Sequence, residues 1–517
     1  MRITFLGQAG LYIETTGGTV LCDPWFNPAF FASWFPFPSN EGIDPATIGR
    51  PDYLYISHQH HDHLDPRFLQ EHVWKGTTVL LPDYPMDHLE GELRDIGFTS
   101  FIKTKNCQPI EIGGLRFTIM ALVAPSDGPT GDSGLIVEDG ETRIFNQNDS
   151  HPTDLDVLQA MGPYDAHFLQ FSGAIWFPMV YNWPPRMKQT IGRRKRANQQ
   201  ARAYRYSQQV AAANVFPSAG PPCFLDDDLF EMNDFDNDPA NIFCDQTVFV
   251  DYMKEQGDDR GRLVIPGSVI DLDDDRCSVT HPIPDDEVRS IFSNKRTYLE
   301  AYRERKRPVI EAARTSWPRG RVDILTSLRD WFEPLLDLGD LTCEGVNARV
   351  LLDCRTEQVV IDFLDRKVYR WSGQECRYRF LIDPALVEAC ILEREDDWVN
   401  SLFLSCRFEA ERDGPYNEFV YNFFKCLTPE RLEYAEGYYS EQSPVQEMWR
   451  CDGYLIQRRC PHLKADLKRF AQVDDGILTC TMHGWQFDLA TGRCLTSDDR
   501  KLYTTPVTEE MAVSSGD

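Results

Sequence analysis

Tyr53-Leu54-Tyr55-Ile56-Ser57-His58-Gln59-His60-His61-Asp62-His63 decides how the first half of this chain folds. Residues 53–56 are an apolar, aromatic-rich run of strand length. The run stops at a serine, and five ligand-type side chains follow within the six positions 58–63. A polar loop of hydrogen-bonded histidines could hold some of these groups, but hardly so many at such density. His58, His60 and His63 can converge on metal positions, with Asp62 serving a second one.

Working outward, further strands are expected at residues 3–6, 11–14, 20–22, 78–81, 117–122, 134–137, 143–146 and 167–170, with Gly17-Gly18 as a hairpin turn. A long helix is expected over 184–213. Sheet-rich halves with interspersed helices point to an αββα sandwich. Asn148-Asp149 follows a late strand and offers a carboxylate, and His151 is a further candidate ligand two residues on. The acidic stretch 271–286 reads as the first boundary, and 287–317 as a charged helix or helical hairpin. An α+β pattern runs from 322 to 427, with a three-stranded meander at 348–354, 358–363 and 367–371 and helices near 384–392 and 416–424. The expected division is a metal-binding catalytic domain (1–270), a linker with a charged helix (271–320), an α+β domain (321–438) and a C-terminal domain (439–517).

That last segment carries Cys460-Pro461-His462 and Cys480-Thr481-Met482-His483, with 17 residues between the pairs. Each pair mixes one thiolate with one imidazole, as a Rieske [2Fe–2S] centre requires: two Cys on one iron, two His on the other. Structural zinc is the weaker alternative for these four residues. The flanking Leu463, Gly484, Trp485, Phe487, Asp488 and Thr491-Gly492 resemble the cluster loops of Rieske ferredoxins and ring-hydroxylating oxygenases. High-potential members of that group carry an extra Cys in each loop; positions 464–466 and Met482 offer none here. The resemblance therefore implies a potential toward the lower end of roughly −150 to +300 mV, and an all-β Rieske domain.

The His58–His63 pattern, Asp23-Pro24-Trp25 and Asn148-Asp149 resemble the metallo-β-lactamase superfamily, whose sandwich agrees with the strand reading. Three departures stand out. The loop 124–132 contains no His, Gln8 stands where relatives with a Gly-His-Ala turn have an imidazole, and Pro217-Ser218-Ala219-Gly220 supplies none either. Residues 51–65, 145–152, 171–179 and 214–220 resemble the CMP-N-acetylneuraminate hydroxylase-like proteins, which join such a domain to a Rieske module. Here the Rieske module comes last instead of first. Trp398, Leu402, Arg407 and Gly414-Pro415-Tyr416-Asn417 resemble a sterol-carrier-type module.

Composition narrows the function. A net charge of −28 argues against nucleic acid as a partner. No stretch reaches the ~18 apolar residues of a membrane helix. Fifteen cysteines in 517 residues do not make a secreted disulfide framework, so a cytoplasmic location is expected. Arg193, Arg194 and Arg196 form a basic segment, readable as a solvated helix face or as a clamp for an anionic substrate. Trp176, Tyr181 and Trp183 could stack on a substrate ring, or belong to the core.

The resulting expectation is an iron-dependent monooxygenase. An external donor (ferredoxin, cytochrome b5 or flavin reductase) loads the cluster on Cys460, His462, Cys480 and His483. Electrons then reach mono- or dinuclear iron on His58, His60, Asp62, His63 and Asp149. There O₂ and a small substrate react, a nucleotide-activated amino sugar or an N-acyl or amine compound. Zinc at that centre is disfavoured because it has no redox chemistry. Two other readings remain: a zinc hydrolase with a redox-sensing Rieske domain, and a flavodiiron-like O₂ or NO reductase. A homo-oligomer is left open.

Overall fold

The computed structural model describes residues 1–124, 131–273, 276–355, 357–440, 448–461, 465–482, 484–496 and 500–507. Two expected cluster ligands, His462 and His483, lie outside the described residues, as does most of the 439–444 linker. The chain divides into two compact units. One comprises Met1–Val123, Asp127–Val322 and Ile382–Glu409; the other is mainly Asp323–Leu381 and Ala410–Asp517.

In the first unit two sheets face each other. One has the order Arg276–Thr280, Val269–Asp273, Arg2–Gly7, Gly10–Thr15, Gly18–Cys22, Tyr53–Tyr55, Thr78–Leu81, Ser100–Lys103. The other runs Asn214–Ser218, Ala166–Gln170, Arg143–Asn148, Asp132–Glu138, Leu115–Leu122, Ile110–Ile112. Alternation within the strands sorts their side chains. Ile3, Phe5, Leu11, Ile13, Val20 and Cys22 meet Phe117, Leu135, Ile144, Phe168 and Phe216 between the sheets. Leu6, Leu21, Leu54 and Ile56 face outward onto Phe68, Leu69, Leu89 and Leu93 of the helices Pro66–His72 and His88–Ile96. Strands buried on both faces explain the unbroken apolar run before Ser57. The long helix Pro185–Val210 covers the second sheet beside Gln246–Glu255. The expected αββα sandwich is the one observed.

The acidic stretch read as a linker is part of this sandwich. Val269–Asp273 pairs antiparallel with Arg2–Thr4 and with Arg276–Thr280. Ile270 and Leu272 point into the core while Asp271 and Asp273 point away, so period-two burial sits beneath the charge. The boundary drawn at 270/271 therefore cuts a strand. The charged segment after it forms two helices, Asp285–Ser293 and Lys295–Ser316, whose Val288, Ile291, Leu299 and Tyr302 pack on Phe35, Phe37, Cys223 and Leu225. Residues 382–409 also pack here. Arg407 pairs with Asp226 at 2.8 Å, both buried, and Phe403 meets Trp176 at 5.5 Å.

His167 is a core histidine. It stacks on Phe145 at 5.3 Å and its Nε2 lies 2.8 Å from Gln147 Oε1. Burial, with help from Arg260, pushes its pKa down from 6.5 to about 3. The unfolded chain binds that proton near pH 6.5 and the folded chain does not until about pH 3. Stability is therefore lost as pH falls through this window, by about 1.4 kcal/mol per unit at most. Urea midpoints between pH 7 and 4 check this: His167→Gln is expected to flatten the slope.

The second unit opens with the helices Ile324–Leu338 and Asp340–Val346. A five-stranded sheet follows, ordered Lys367–Arg370, Gln358–Asp362, Arg349–Asp353, Tyr378–Ile382, Phe408–Arg412. The expected meander forms its first three strands. The C-terminal part builds two three-stranded sheets: Met448–Cys451, Tyr454–Gln457, Thr504–Pro506; and Ala471–Asp474, Ile477–Cys480, Trp485–Asp488. A four-residue helix, Leu467–Phe470, interrupts the otherwise all-β module. Trp485 meets Tyr416 edge-on at 6.0 Å, and Arg500 pairs with the buried Glu418.

Candidate metal centre

Strand Tyr53–Tyr55 lies parallel between Gly18–Cys22 and Thr78–Leu81, so its C-terminal end opens beside Asp23. Ligand loops at the C-terminal ends of parallel strands are the usual outcome of such sheets. Asp23 holds the loop down. Its Oδ1 accepts from Ser57 N at 2.7 Å, and its Oδ2 accepts from Ser57 Oγ at 2.7 Å. The loop then turns, with His63 N and Leu64 N both donating to His60 O, and Asp65 caps the helix Pro66–His72. Tyr84 and Ser133 donate their hydroxyls to Ser57 O.

This scaffold sets the imidazole tautomers. The one hydroxyl proton of Ser57 goes to Asp23, so Ser57 Oγ accepts from His58 Nδ1 at 2.9 Å. Asp132 Oδ1 stands 3.4 Å from the same nitrogen. Asp23 Oδ2 takes the Nδ1 proton of His63 at 3.0 Å. Both Nε2 atoms are left as bare lone pairs, the form that binds a metal. Among the described residues, His58 Nε2, His63 Nε2 and Asp149 Oδ1 are buried without a hydrogen-bond partner. Buried polar atoms are seldom left so, and metal bound at this centre would satisfy them. One ligand atom from each of His58, His60 and Asp149 lies within 4.8 Å of the others. Asp149 Oδ2 lies 3.8 Å from His58 Nε2 and 3.3 Å from His63 Nε2, and Asp62 Oδ2 lies 3.7 Å from the latter. The residues fit a metal ion.

Electrostatics agree. Burial, then His60 and His63, holds His58 well below the usual imidazole range and keeps it neutral. Burial opposes charge on His63 too, yet Asp149 and Asp62 outweigh it and raise its proton affinity. Burial pushes Asp62 up to about 6, while His63 and His58 hold Asp149 well down despite its burial. The pocket is built to hold positive charge. Gln8, Asp23 and Asn148 all adopt left-handed backbone angles, with φ of 52°, 39° and 46°. Such strain in non-glycine residues gathers at functional sites.

Other expected residues have different surroundings. His61 is exposed and stacks on Phe30 at 5.8 Å. The ring of His151 lies 6.4 Å from Tyr206, outside the converging trio. Arg193 and Arg194 are exposed on their helix. Arg196 is engaged differently from the expected anion clamp: it donates to the backbone oxygens of Asn241, Phe235 and Asp238 at 2.6–2.7 Å and lies over Phe235. Trp176 packs on Phe403 and Phe408, whereas Tyr181 and Trp183 stack 4.4 Å apart beside Phe177. The sequence reading missed Asp132, which is signalled only by its place at the start of a strand. It also missed Ser172 and Ser218, whose buried hydroxyls have no partner.

Asp23→Asn replaces a carboxylate that orients two groups of this centre. Metal affinity is expected to fall roughly 10–100-fold, measured by competition with a chelator.

In the C-terminal module, Cys460 and Cys480 are fully buried. Cys480 ends the strand Ile477–Cys480, where its carbonyl accepts from Gly484 N at 2.7 Å, and Cys460 N donates to Ala465 O at 2.9 Å. No disulfide joins any of the fifteen cysteines.

Comparison with known proteins adds a family. Residues 447–506 match the Rieske [2Fe-2S] domain, 324–441 the Rv3818-like, SCP2-like domain and 18–209 the Beta-lactamase superfamily domain. A candidate Rieske 2Fe-2S iron-sulfur protein, Rv3818 of Mycobacterium tuberculosis H37Rv, is 47% identical over 97% of this chain and 99% of its own. The chain belongs to this Rieske iron–sulfur protein family. Its counterpart in Mycolicibacterium smegmatis is 48% identical over 97% of this chain and 99% of its own length. Among solved structures, CmlA, a diiron β-hydroxylase from Streptomyces venezuelae, covers 52% of this chain and 54% of its own at 18% identity, with a TM-score of 0.34. The three-part architecture expected from the motifs is thus shown: metallo-β-lactamase fold, SCP2-like domain, Rieske domain last. No helix among the described residues is long and apolar enough to cross a membrane.

Proposed function

We propose that this protein is a Rieske-coupled, iron-dependent monooxygenase that hydroxylates a small, anionic organic substrate with O₂ and electrons from an external donor. One observation carries the reading. A single chain holds a one-electron [2Fe–2S] carrier and a second, buried centre whose converging trio is two imidazoles and one carboxylate, His58, His60 and Asp149. Two His and one carboxylate with open positions is the donor set of non-haem Fe(II) oxygenases. Bound iron would supply O₂ activation there; zinc would not.

The chain's own groups do the rest. Asp23 and Ser57 keep the Nδ1 protons of His63 and His58 in place, so Nε2 is the nitrogen each ring presents to a metal. Asp149 faces both imidazoles and balances charge. Tyr84 and Ser133 fix the carbonyl at the start of the loop. Cys460 and Cys480, with His462 and His483, would hold the [2Fe–2S] cluster, which would supply one-electron transfer. The reaction consumes two electrons and two protons; one oxygen atom goes to the substrate and the other leaves as water. An anionic amino-sugar nucleotide or an N-acyl or amine compound is the proposed substrate class, with Arg193 and Arg194 as the exposed cations left to meet it.

The test is metal analysis and oxygen uptake on anaerobically purified protein. About three irons per chain are expected, two of them in the cluster, with uptake that depends on substrate and reductant. Two irons plus zinc, with hydrolysis that changes with the cluster's redox state and no oxygen uptake, would establish the hydrolase with a redox-sensing Rieske domain instead. Uptake without any organic product would establish a reductase.

A further inference from the structure

We infer that the centre binds one metal ion tightly, on His58, His60 and Asp149, and that the position beside His63 and Asp62 takes a second ion only weakly. This rests on residues 58–63 with Asp149 being a metal site, and goes beyond it by assigning unequal roles to its two halves.

The first position has two imidazoles and a carboxylate whose ligand atoms all lie within 4.8 Å of one another. The second has one imidazole, His63, and must share Asp149 with the first. Its own carboxylate, Asp62, is already engaged: Gln8 Nε2 donates to Asp62 Oδ2 at 2.8 Å, the oxygen that faces His63. Gln8 is buried, and its backbone is fixed where its carbonyl accepts from Ala219 N at 2.8 Å.

The wall beyond Gln8 offers no stronger donor. It is formed by the ends of two parallel strands, Ala166–Gln170 and Asn214–Ser218, which run on to Ser172 and to Ser218-Ala219-Gly220. The two ends touch: a Cβ placed on Gly220 would lie 3.1 Å from Ser172 Cβ. Ser172 and Ser218 are each 1% exposed, and neither hydroxyl has a partner. Among the described residues this wall is therefore an amide and two hydroxyls. Neutral oxygens bind a divalent transition ion far less well than imidazole or carboxylate. Among the described residues a second ion there would have His63 and Asp62 as its own charged or imidazole donors and would share Asp149 with the first ion.

The test uses the full chain with its cluster intact, stripped of the other metal by a mild chelator and titrated anaerobically with Co(II). Binding is read from the Co(II) ligand-field bands and by equilibrium dialysis, and the cluster's visible spectrum reports folding. One equivalent should bind tightly and a second about 100-fold or more weakly. His60→Ala should abolish the tight phase, and His63→Ala should keep it within about threefold. Gln8→His should strengthen the second phase at least tenfold, since it places an imidazole where the amide now sits. Two equivalents of equal affinity in the unmodified chain would overturn the inference, whatever the variants do. So would loss of the first equivalent in His63→Ala with an unchanged cluster spectrum. The titration involves no turnover, so the oxygenase reading can fail while this inference stands, and the reverse.

Discussion

Asp149→Ala is expected to lower metal retention at the His58 centre by about two orders of magnitude and to abolish substrate-dependent oxygen uptake. The cluster's spectrum should not change. Asp149 is the one carboxylate facing both His58 Nε2 and His63 Nε2, at 3.8 and 3.3 Å. Removing it leaves two neutral imidazoles to hold a dication in a buried pocket, without a charge to offset the ion's lost hydration. Metal analysis after dialysis against a chelator measures the first effect, and an oxygen electrode the second. An Asp149→Ala chain that kept its metal and its turnover would remove the basis of the proposed function.

Cys480→Ser is expected to have the opposite pattern. The [2Fe–2S] signal should vanish from absorption and electron paramagnetic resonance spectra, and turnover with an external donor should fall to background. Metal at the His58 centre should remain. Cys480 is fully buried at the end of its strand, between the register partners Ala471 and Trp485. Serine in that place offers a harder oxygen that stays protonated at neutral pH, whereas the cluster requires thiolate. Cluster loss should also loosen the C-terminal module, seen as faster proteolysis of the last 60 or so residues, because a small module leans on its metal centre. Full turnover without a cluster would show that electrons reach the substrate by another route.

Much of the architecture can be read along the chain because its signals are short-range. The alternation of Ile3, Phe5, Leu11 and Ile13, and the apolar run before Ser57, are local patterns that any two-sheet sandwich must display. Where a local pattern had two readings, packing decided. The acids at 271–273 look like a linker until Ile270 and Leu272 are seen pairing with the first strand. Arg196 looks like an anion clamp until three backbone carbonyls converge on it from residues some 40 positions away. Residues 382–409 lie inside the segment that matches the SCP2-like domain, as the sequence reading had it, and packing adds that their Arg407 pairs with Asp226.

The sequence by itself determined the two chemistries. His58–His63 and Cys460–His483 are dense motifs whose ligand types and spacing are sufficient to name a metal site and a Rieske cluster, because in each the ligands sit on one or two short loops. Only the tertiary structure decided which side chains complete the first site and how. Asp149 was already offered by the sequence, but Asp23, Asp132 and Gln8 come from separate strand ends and meet His63, His58 and Asp62 solely because the sandwich brings those ends together. No spacing rule links residue 8 to residue 62. A hydrogen bond across that gap, closed by folding, sets a neutral amide beside Asp62, where an imidazole would have given a second metal ion another donor.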